Sequence, residues 1–263
     1  MVEKWLKRSY SFLMYLFLYA PIIVLIIYSF NNSKSRGNWD GFTFKWYVEL
    51  FQDKQIMKAL YYTVIVAFFS SIIATIIGTL AAIGIHNSGH VQKKILLNLN
   101  YIPVLNPDIV TGVALMTLFI FVGKQMGLVT MLLAHITFNI PYVILSVLPK
   151  LKQLNKHLAE AAMDLGATPL YAFRKVVLPE IMPGIVSGAL IAFTMSIDDF
   201  VISFFTTGSG VQNLSIKIFT MARRGINPKL NALSTLMFLS VLILLLLINR
   251  RSSLEIKGKD DVA

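Results

Sequence analysis

Three acidic residues stand where acidic residues are costly. Asp108, Asp198 and Asp199 fall within long apolar runs of this chain of 263 residues. An Asp at the centre of a membrane-spanning helix costs about 2.5 to 3.5 kcal/mol on insertion scales, so such residues face a cavity or a pathway and have a task there. No Lys or Arg shares those runs to neutralise them, and the chemistry they offer is attraction of a cation. Asp198 and Asp199 lie in Ser196-Ile197-Asp198-Asp199-Phe200, near the external end of an apolar run. Adjacent residues on a helix point about 100° apart. Asp199 therefore extends a stripe of Gly188, Ala192, Ser196 and Ser203, and Asp198 follows Ser187, Ile191 and Thr194. Both arcs are small or polar, and together they suit one wall of a pathway; an acidic pair reaching out to the interface is the plainer alternative. Asp108 follows Pro107, which fits a helix restart as well as it fits the pathway.

Other chemistry is missing from the sequence. The nearest approach to a phosphate-binding loop, Gly84-Ile85-His86-Asn87-Ser88-Gly89-His90, has His90 where the loop needs Lys and Val91 where it needs Ser or Thr. No His-Glu-x-x-His pair occurs among the 4 histidines, His86, His90, His135 and His157. His135, inside an apolar run, reads as a packed or cavity-facing polar residue. Neither a nucleophile elbow nor a paired acid and base is present, so the chain is not expected to be an enzyme by itself. No Cys occurs, which excludes a disulfide framework and thiolate metal sites.

The elements that must position these acids follow from composition. Hydrophobic residues make up 56% of the chain and charged residues 14%, with the apolar residues in long blocks between polar loops, the layout of a polytopic membrane protein. The net charge of +11 could suit nucleic acid, but the basic residues flank apolar runs without interleaved aromatics; contact with anionic lipid headgroups explains them better. The expected fold is all-α, a single transmembrane domain over residues 1–263. Its spans lie at about 12–30, 61–85, 99–122, 128–148, 182–205 and 233–248. The first span is read as an uncleaved signal anchor, since Lys4, Lys7 and Arg8 precede it and no small-residue cleavage site follows. Phe42, Trp46, Tyr47, Leu50 and Phe51 recur at helical spacing, predicting a short interfacial helix. Gly78, Ala81, Ala82 and Gly84 form a small-residue face on the second span. Residues 86–98 are expected to be a loop, the third span to be kinked near Pro103 and Pro107, and residues 252–263 to form a short polar tail. Basic pairs beside span ends, Lys7-Arg8, Lys93-Lys94 and Arg250-Arg251, place both termini in the cytoplasm.

That orientation puts residues 149–180 in the cytoplasm as well. This polar island carries its own helix punctuation: Gly166 suits the left-handed position after a helix beginning near Lys156, and Thr168-Pro169 supplies an N-cap followed by Pro at the first helical position. Two short helices joined by a tight turn are predicted. Ala159, Ala161 and Ala162 keep the first helix slim, so another surface can approach its backbone, while Glu160 offers an anchoring charge.

The pattern Glu160-Ala161-Ala162, then Gly166, then Val176, Leu178 and Pro179 resembles the EAA signature of the membrane subunits of bacterial ABC importers, with Val176 where Ile is usual. Trp46, Asn106-Pro107-Asp108-Ile109-Val110, His135-Ile136-Thr137-Phe138 and Ser196-Ile197-Asp198-Asp199-Phe200 look like the spermidine/putrescine importer permeases, in particular the C-type of their two membrane subunits. The resemblance implies a six-helix type I importer permease in the bacterial inner membrane. Its expected partners are a second, similar permease, two ABC ATPase subunits, a periplasmic or extracellular polyamine-binding protein and membrane lipid, with no nucleic acid. ATP and Mg would be bound by the ATPases and no cofactor by this chain. Glu160, Ala161, Ala162, Asp164, Gly166, Val176, Leu178 and Pro179 would couple to the ATPases. Trp46, Asp108, Ser196, Asp198 and Asp199 would line the substrate path; Trp46 suits cation–π contact with a protonated amine, worth about 0.5 to 2 kcal/mol, and suits an ordinary interfacial belt somewhat better. An importer of another solute, such as ferric ion or an organic cation, would keep the same docking loop, and an ATP-independent channel or secondary carrier would need none.

Overall fold

The computed structural model describes residues 2–34, 38–155, 157–225 and 228–243, and their regular structure is helical. The helices are α1 (Val2–Ser29), α2 (Lys45–Gln52), α3 (Lys54–Asn87), α4 (His90–Leu105), α5 (Asp108–Phe121), α6 (Leu128–Gln153), α7 (Leu158–Asp164), α8 (Pro169–Ala172), α9 (Leu178–Asp198), α10 (Val201–Thr206) and α11 (Leu214–Arg223), followed by α12 (Pro228–Ile243). Chain contacts divide them into two units, residues 58–216 and residues 1–57 with 217–263.

Among the described residues, four stretches are long and apolar enough to cross a membrane: Lys4–Ser29, Lys54–Asn87, Leu128–Gln153 and Pro169–Asp198. They take in the first, second, fourth and most of the fifth expected spans. The third differs from expectation. It is two helices, α4 and α5, bent by 104° at Asn106 and Pro107. Pro107 explains the break, because its ring disfavours helical backbone in the residue before it, and Asn106 is extended at ψ 144°. The expected loop at 86–98 is also corrected: α4 begins at His90 after Gly89 and carries Lys93 and Lys94 on its first turns. Of the sixth expected span, residues 233–243 lie in α12, a shorter apolar helix; residues 244–248, Arg250, Arg251 and the polar tail lie outside the described residues.

The core of the larger unit forms where α3, α6 and α9 meet. Ala82, Ile85, Val143, Ile144, Val147, Leu148, Leu151, Ile181 and Ala192 are buried together there. Glycine makes the approach possible. A Cβ on Gly78 would lie 2.7 Å from Val143 Cβ, one on Gly184 would lie 2.9 Å from the Ser146 carbonyl oxygen, and one on Gly188 would lie 3.2 Å from Val143 Cα. Small residues at helix crossings let backbones touch, which matters most in a membrane because lipid gives apolar side chains no reason to leave it. Gly84, expected on this face, looks instead into open space. A second cluster, Leu115, Phe119, Ala134, Phe138 and Ile202, joins α5, α6 and α10.

The smaller unit holds α1 and α2. No residue in the apolar window of α1 is fully buried, so most of its surface is available to lipid or another chain. The short helix predicted around Trp46 is α2, with Trp46 and Leu50 buried.

Candidate functional site

The fifth expected span is broken where the acids lie. The stretch from Pro169 ends at Asp198; Asp199 is extended at φ −61° and ψ 125°, and the chain restarts as α10 at Val201. Asp198 and Asp199 are therefore not successive positions on one helix, and the expected continuous stripe is interrupted. Its members Gly188, Ala192, Ser196 and Ser203 are nevertheless all buried. Asp199 holds the break: its carboxylate accepts hydrogen bonds from the backbone N–H of Ile202 at 3.1 Å and of Ser203 at 2.8 Å, and from the Ser203 hydroxyl at 2.8 Å. These are helix-capping contacts, satisfying donors that a helix start leaves without intrahelical partners. Asp198, whose carbonyl accepts from Ser215 Oγ at 3.1 Å, is exposed.

Beneath the break lies a polar layer inside the bundle. His135 Nε2 is 2.9 Å from Ser203 Oγ and 3.5 Å from Asp199 Oδ2. Asn213 Nδ2 donates to Ser203 Oγ at 2.7 Å and to the Asp199 carbonyl at 2.9 Å, while its Oδ1 accepts from the Ile216 N–H at 2.9 Å. One helical turn along α6, Asn139 Nδ2 donates to Ser196 Oγ at 2.7 Å, and Ser196 lies 3.1 Å from Ser70 Oγ on α3. Toward the start of α6, the Thr130 hydroxyl donates to the Thr206 carbonyl at 2.7 Å. All of these side chains but Asp199 are 2% exposed or less. His135 Nδ1 and Asn139 Oδ1 are buried without a hydrogen-bond partner among the described residues; the bonds that are made tie the helices to one arrangement.

Ser196, expected on the pathway wall, thus sits in the interior of the bundle against Asn139 and Ser70. The sequence drew attention to His135 but gave no motif for Asn139, Asn213 or Ser70. The spacing of His135 and Asn139, four residues apart on one face of an apolar helix, was the available signal.

Asp108 is the first residue of α5, after the 104° break, and is exposed. Trp46 belongs to the other unit. It is 3% exposed, and its indole N–H donates to the Asn31 carbonyl at 2.7 Å. Asn31 in turn gathers the loop after α1, with Nδ2 donating to the Asn38 carbonyl at 2.8 Å and Oδ1 accepting from the Asp40 N–H at 3.0 Å. The Lys45 ammonium lies 5.4 Å from the Trp46 ring centroid.

The predicted punctuation of the polar island is realised. The Gly166 N–H reaches the Met163 carbonyl at 2.9 Å and the Ala167 N–H reaches the Ala162 carbonyl at 3.1 Å, with Gly166 at φ +88°. This is the Schellman ending of α7. Thr168 Oγ1 accepts from the Tyr171 N–H at 3.4 Å, with Pro169 at the first helical position. The second helix is not short, however: α8 passes through a π-helical turn, Phe173–Val177, directly into α9. Val176 sits in that turn, and Leu178 and Pro179 open α9. No residue of α7 is buried; Glu160 is held at 2.8 Å by His157 Nδ1, and Leu165 and Leu170 are 90% and 75% exposed. Beside this knuckle, Ile83, Leu151, Leu154, Met163 and Val177 line a cavity of about 280 Å³.

Residues 74–251 match the family described as binding-protein-dependent transport system inner membrane component. The spermidine/putrescine transport system permease protein PotC of Haemophilus influenzae is 38% identical over 251 residues, covering 94% of this chain and 98% of that one. The putrescine transport system permease protein PotI of Escherichia coli K12 is 40% identical over 227 residues, covering 84% and 81%. Among solved structures, a chain of a bacterial ABC transporter that imports the polysaccharide alginate superposes with a TM-score of 0.73 at 18% identity, covering 95% of this chain and 96% of that one. A chain of the MetNI methionine ABC transporter gives 0.61 at 21% identity, covering 74% and 93%. By the family match and these likenesses, the chain belongs to the family of binding-protein-dependent transport system inner membrane components, the permease subunits of ABC importers.

Proposed function

We propose that this chain is one of two similar permeases in an ATP-driven importer that carries spermidine or putrescine across the bacterial inner membrane, with both termini in the cytoplasm. The observation that carries the substrate class is the likeness to relatives named for polyamine transport, at 38% and 40% identity over most of the chain. The acids are consistent with it. Asp198 is exposed at the end of α9, Asp199 adds a second carboxylate at the break, and Asp108 is exposed at the start of α5. Carboxylates can replace the hydration shell of protonated nitrogens, and binding must stay weak enough to release the cargo inward. Ser196 contributes by holding α9 against α3 and α6, and Trp46 by holding the external loop in shape.

Energy enters at the knuckle. Glu160, Ala161, Ala162, Asp164 and Gly166 form an exposed, slim element on which two ABC ATPases, which bind ATP and Mg, can dock. Val176, Leu178 and Pro179 lie where it becomes α9, so that ATP-driven closure moves α9 as a lever. A binding protein delivers the cargo on the opposite side, and the two permeases rock between outward and inward access.

The test is uptake of labelled spermidine and putrescine into proteoliposomes holding both permeases, both ATPases and the binding protein. ATP-dependent uptake that unlabelled polyamine suppresses, and ferric ion does not, is expected. Uptake without ATP and ATPases would mark a carrier, and competition by another solute alone would mark another cargo. In the same preparation Glu160→Lys should insert yet lose uptake and stimulated ATP hydrolysis; retained transport would reject the docking role.

A further inference from the structure

The hydroxyl of Ser203 is the crossing point of the buried layer, and its proton can be placed by elimination. It lies 2.8 Å from Asp199 Oδ2, 2.7 Å from Asn213 Nδ2 and 2.9 Å from His135 Nε2. An amide NH2 only donates and a carboxylate only accepts, while a hydroxyl gives one proton and accepts on its lone pairs. Asn213 is fixed in this orientation because its Oδ1 takes the Ile216 N–H and its second amide hydrogen takes the Asp199 carbonyl. The proton of Ser203 therefore goes to Asp199, and the remaining partner, His135 Nε2, must be a donor. Every bond in the chain points toward Asp199: His135 gives to Ser203, Asn213 gives to Ser203, and Ser203 gives to the carboxylate.

A serine inside a helix has an easy alternative, which is to turn its hydroxyl back onto the carbonyl one turn earlier. Two donors on the Ser203 oxygen remove that freedom and leave its proton a single direction. Ser203 also supplies the backbone N–H that caps against the same Asp199 Oδ2. Asp199, and with it the break that ends α9 at Asp198, is thus tied to α6 through the Ser203 hydroxyl in addition to its own backbone capping bonds.

We propose that His135 is a positioning residue for cargo transfer: through Ser203 it fixes the Asp199 carboxylate and the helix break that presents Asp198. It does not touch the cargo, because its Nε2 is committed to Ser203 and the ring is 1% exposed. The role of the presented acid rests on the polyamine reading above; the direction of the hydrogen bonds does not.

Two measurements test this on the reconstituted complete importer. In the first, His135→Leu and Ser203→Ala are each compared with wild type for labelled spermidine uptake and for ATP hydrolysis stimulated by the binding protein. Loss of one charge-directed hydrogen bond is expected to cut cargo moved per ATP hydrolysed by about tenfold while stimulated hydrolysis persists, and His135→Gln, which keeps a side-chain N–H donor, is expected to restore most of it. Wild-type coupling in either removal variant, a proportional fall of uptake and hydrolysis, or failure of His135→Gln to rescue would overturn the proposal. In the second, solid-state NMR of histidine-labelled complex, with His135 assigned by its absence from His135→Gln, should show the ring proton on Nε2 and a shifted Nε2 signal in Ser203→Ala. A proton on Nδ1 with bare Nε2 would overturn the relay. Wild-type complex that moves no polyamine would refute the substrate reading, and the resonance measurement, which needs no cargo, would still decide the relay.

Discussion

At the scale of single residues, two adjacent acids have been given different work. The Asp199 carboxylate is turned inward onto Ile202 and Ser203, whereas Asp198 is exposed. Asp198→Asn removes charge from a group free to meet solvent and should lower polyamine uptake about tenfold in a fully assembled complex, since a fixed charge near a cation is worth on the order of 1 to 4 kcal/mol between water-like and surface-like surroundings. Asp199→Asn should lower uptake too, but with an added signature. An amide supplies one acceptor oxygen where three donors converge, so the α9–α10 break should become more susceptible to proteolysis or hydrogen exchange than in Asp198→Asn. Unchanged uptake in both variants would remove the acids from the pathway. The sequence showed that these carboxylates were out of place in apolar surroundings. It could not show the difference between them, because neighbouring Asp residues share a composition, and only the backbone turn at Asp199 separates their surroundings.

At the scale of elements, the glycines of α3 and α9 decide how closely the bundle closes. A side chain at Gly188 would press on the Val143 backbone at 3.2 Å, a contact that cannot yield by rotating a side chain. Gly188→Leu should therefore destabilise the assembled protein by about 1 to 3 kcal/mol or more, read as earlier thermal loss of monodispersity in detergent. Gly84→Leu, at a position facing open space, should leave it near wild type. Gly166 tests a different property. Nothing lies within 4 Å of a Cβ built there, yet its φ is +88°, so Gly166→Ala should cost about 1 to 2 kcal/mol through backbone conformation alone and loosen the end of α7. The turn after α7 was legible because its chemistry is local: glycine, then Thr-Pro, specifies an ending and a beginning within a few residues. The bend between α4 and α5 was only half legible. Pro107 announced an interruption, but a 104° angle depends on what the two helices pack against. The extension of α8 into α9 was hidden because polar residues on the first turns of a spanning helix look, by composition, like a loop.

At the scale of the whole molecule, the proposal requires the knuckle and both chain ends to share one side of the membrane. The chain contains no Cys, so single-cysteine variants report cleanly. Leu165→Cys, at a position 90% exposed, should react with a membrane-impermeant maleimide in inside-out vesicles and be silent in right-side-out spheroplasts until the membrane is opened; the reverse pattern would invert the topology and exclude docking of cytoplasmic ATPases. The π-helical turn at Phe173–Val177 bears on how a push there is delivered. A π turn carries one residue more than an α turn, and one residue corresponds to about 100° of rotation about the helix axis. The wider turn of Phe173–Val177 absorbs that extra residue, so the ATPase-facing end of the lever keeps its angular phase with the acid-bearing end. Winding the same residues as ordinary α turns would leave every individual contact surface chemically intact and yet aim the knuckle about a quarter-turn away from its partner, a transporter with sound parts and a mistimed crank.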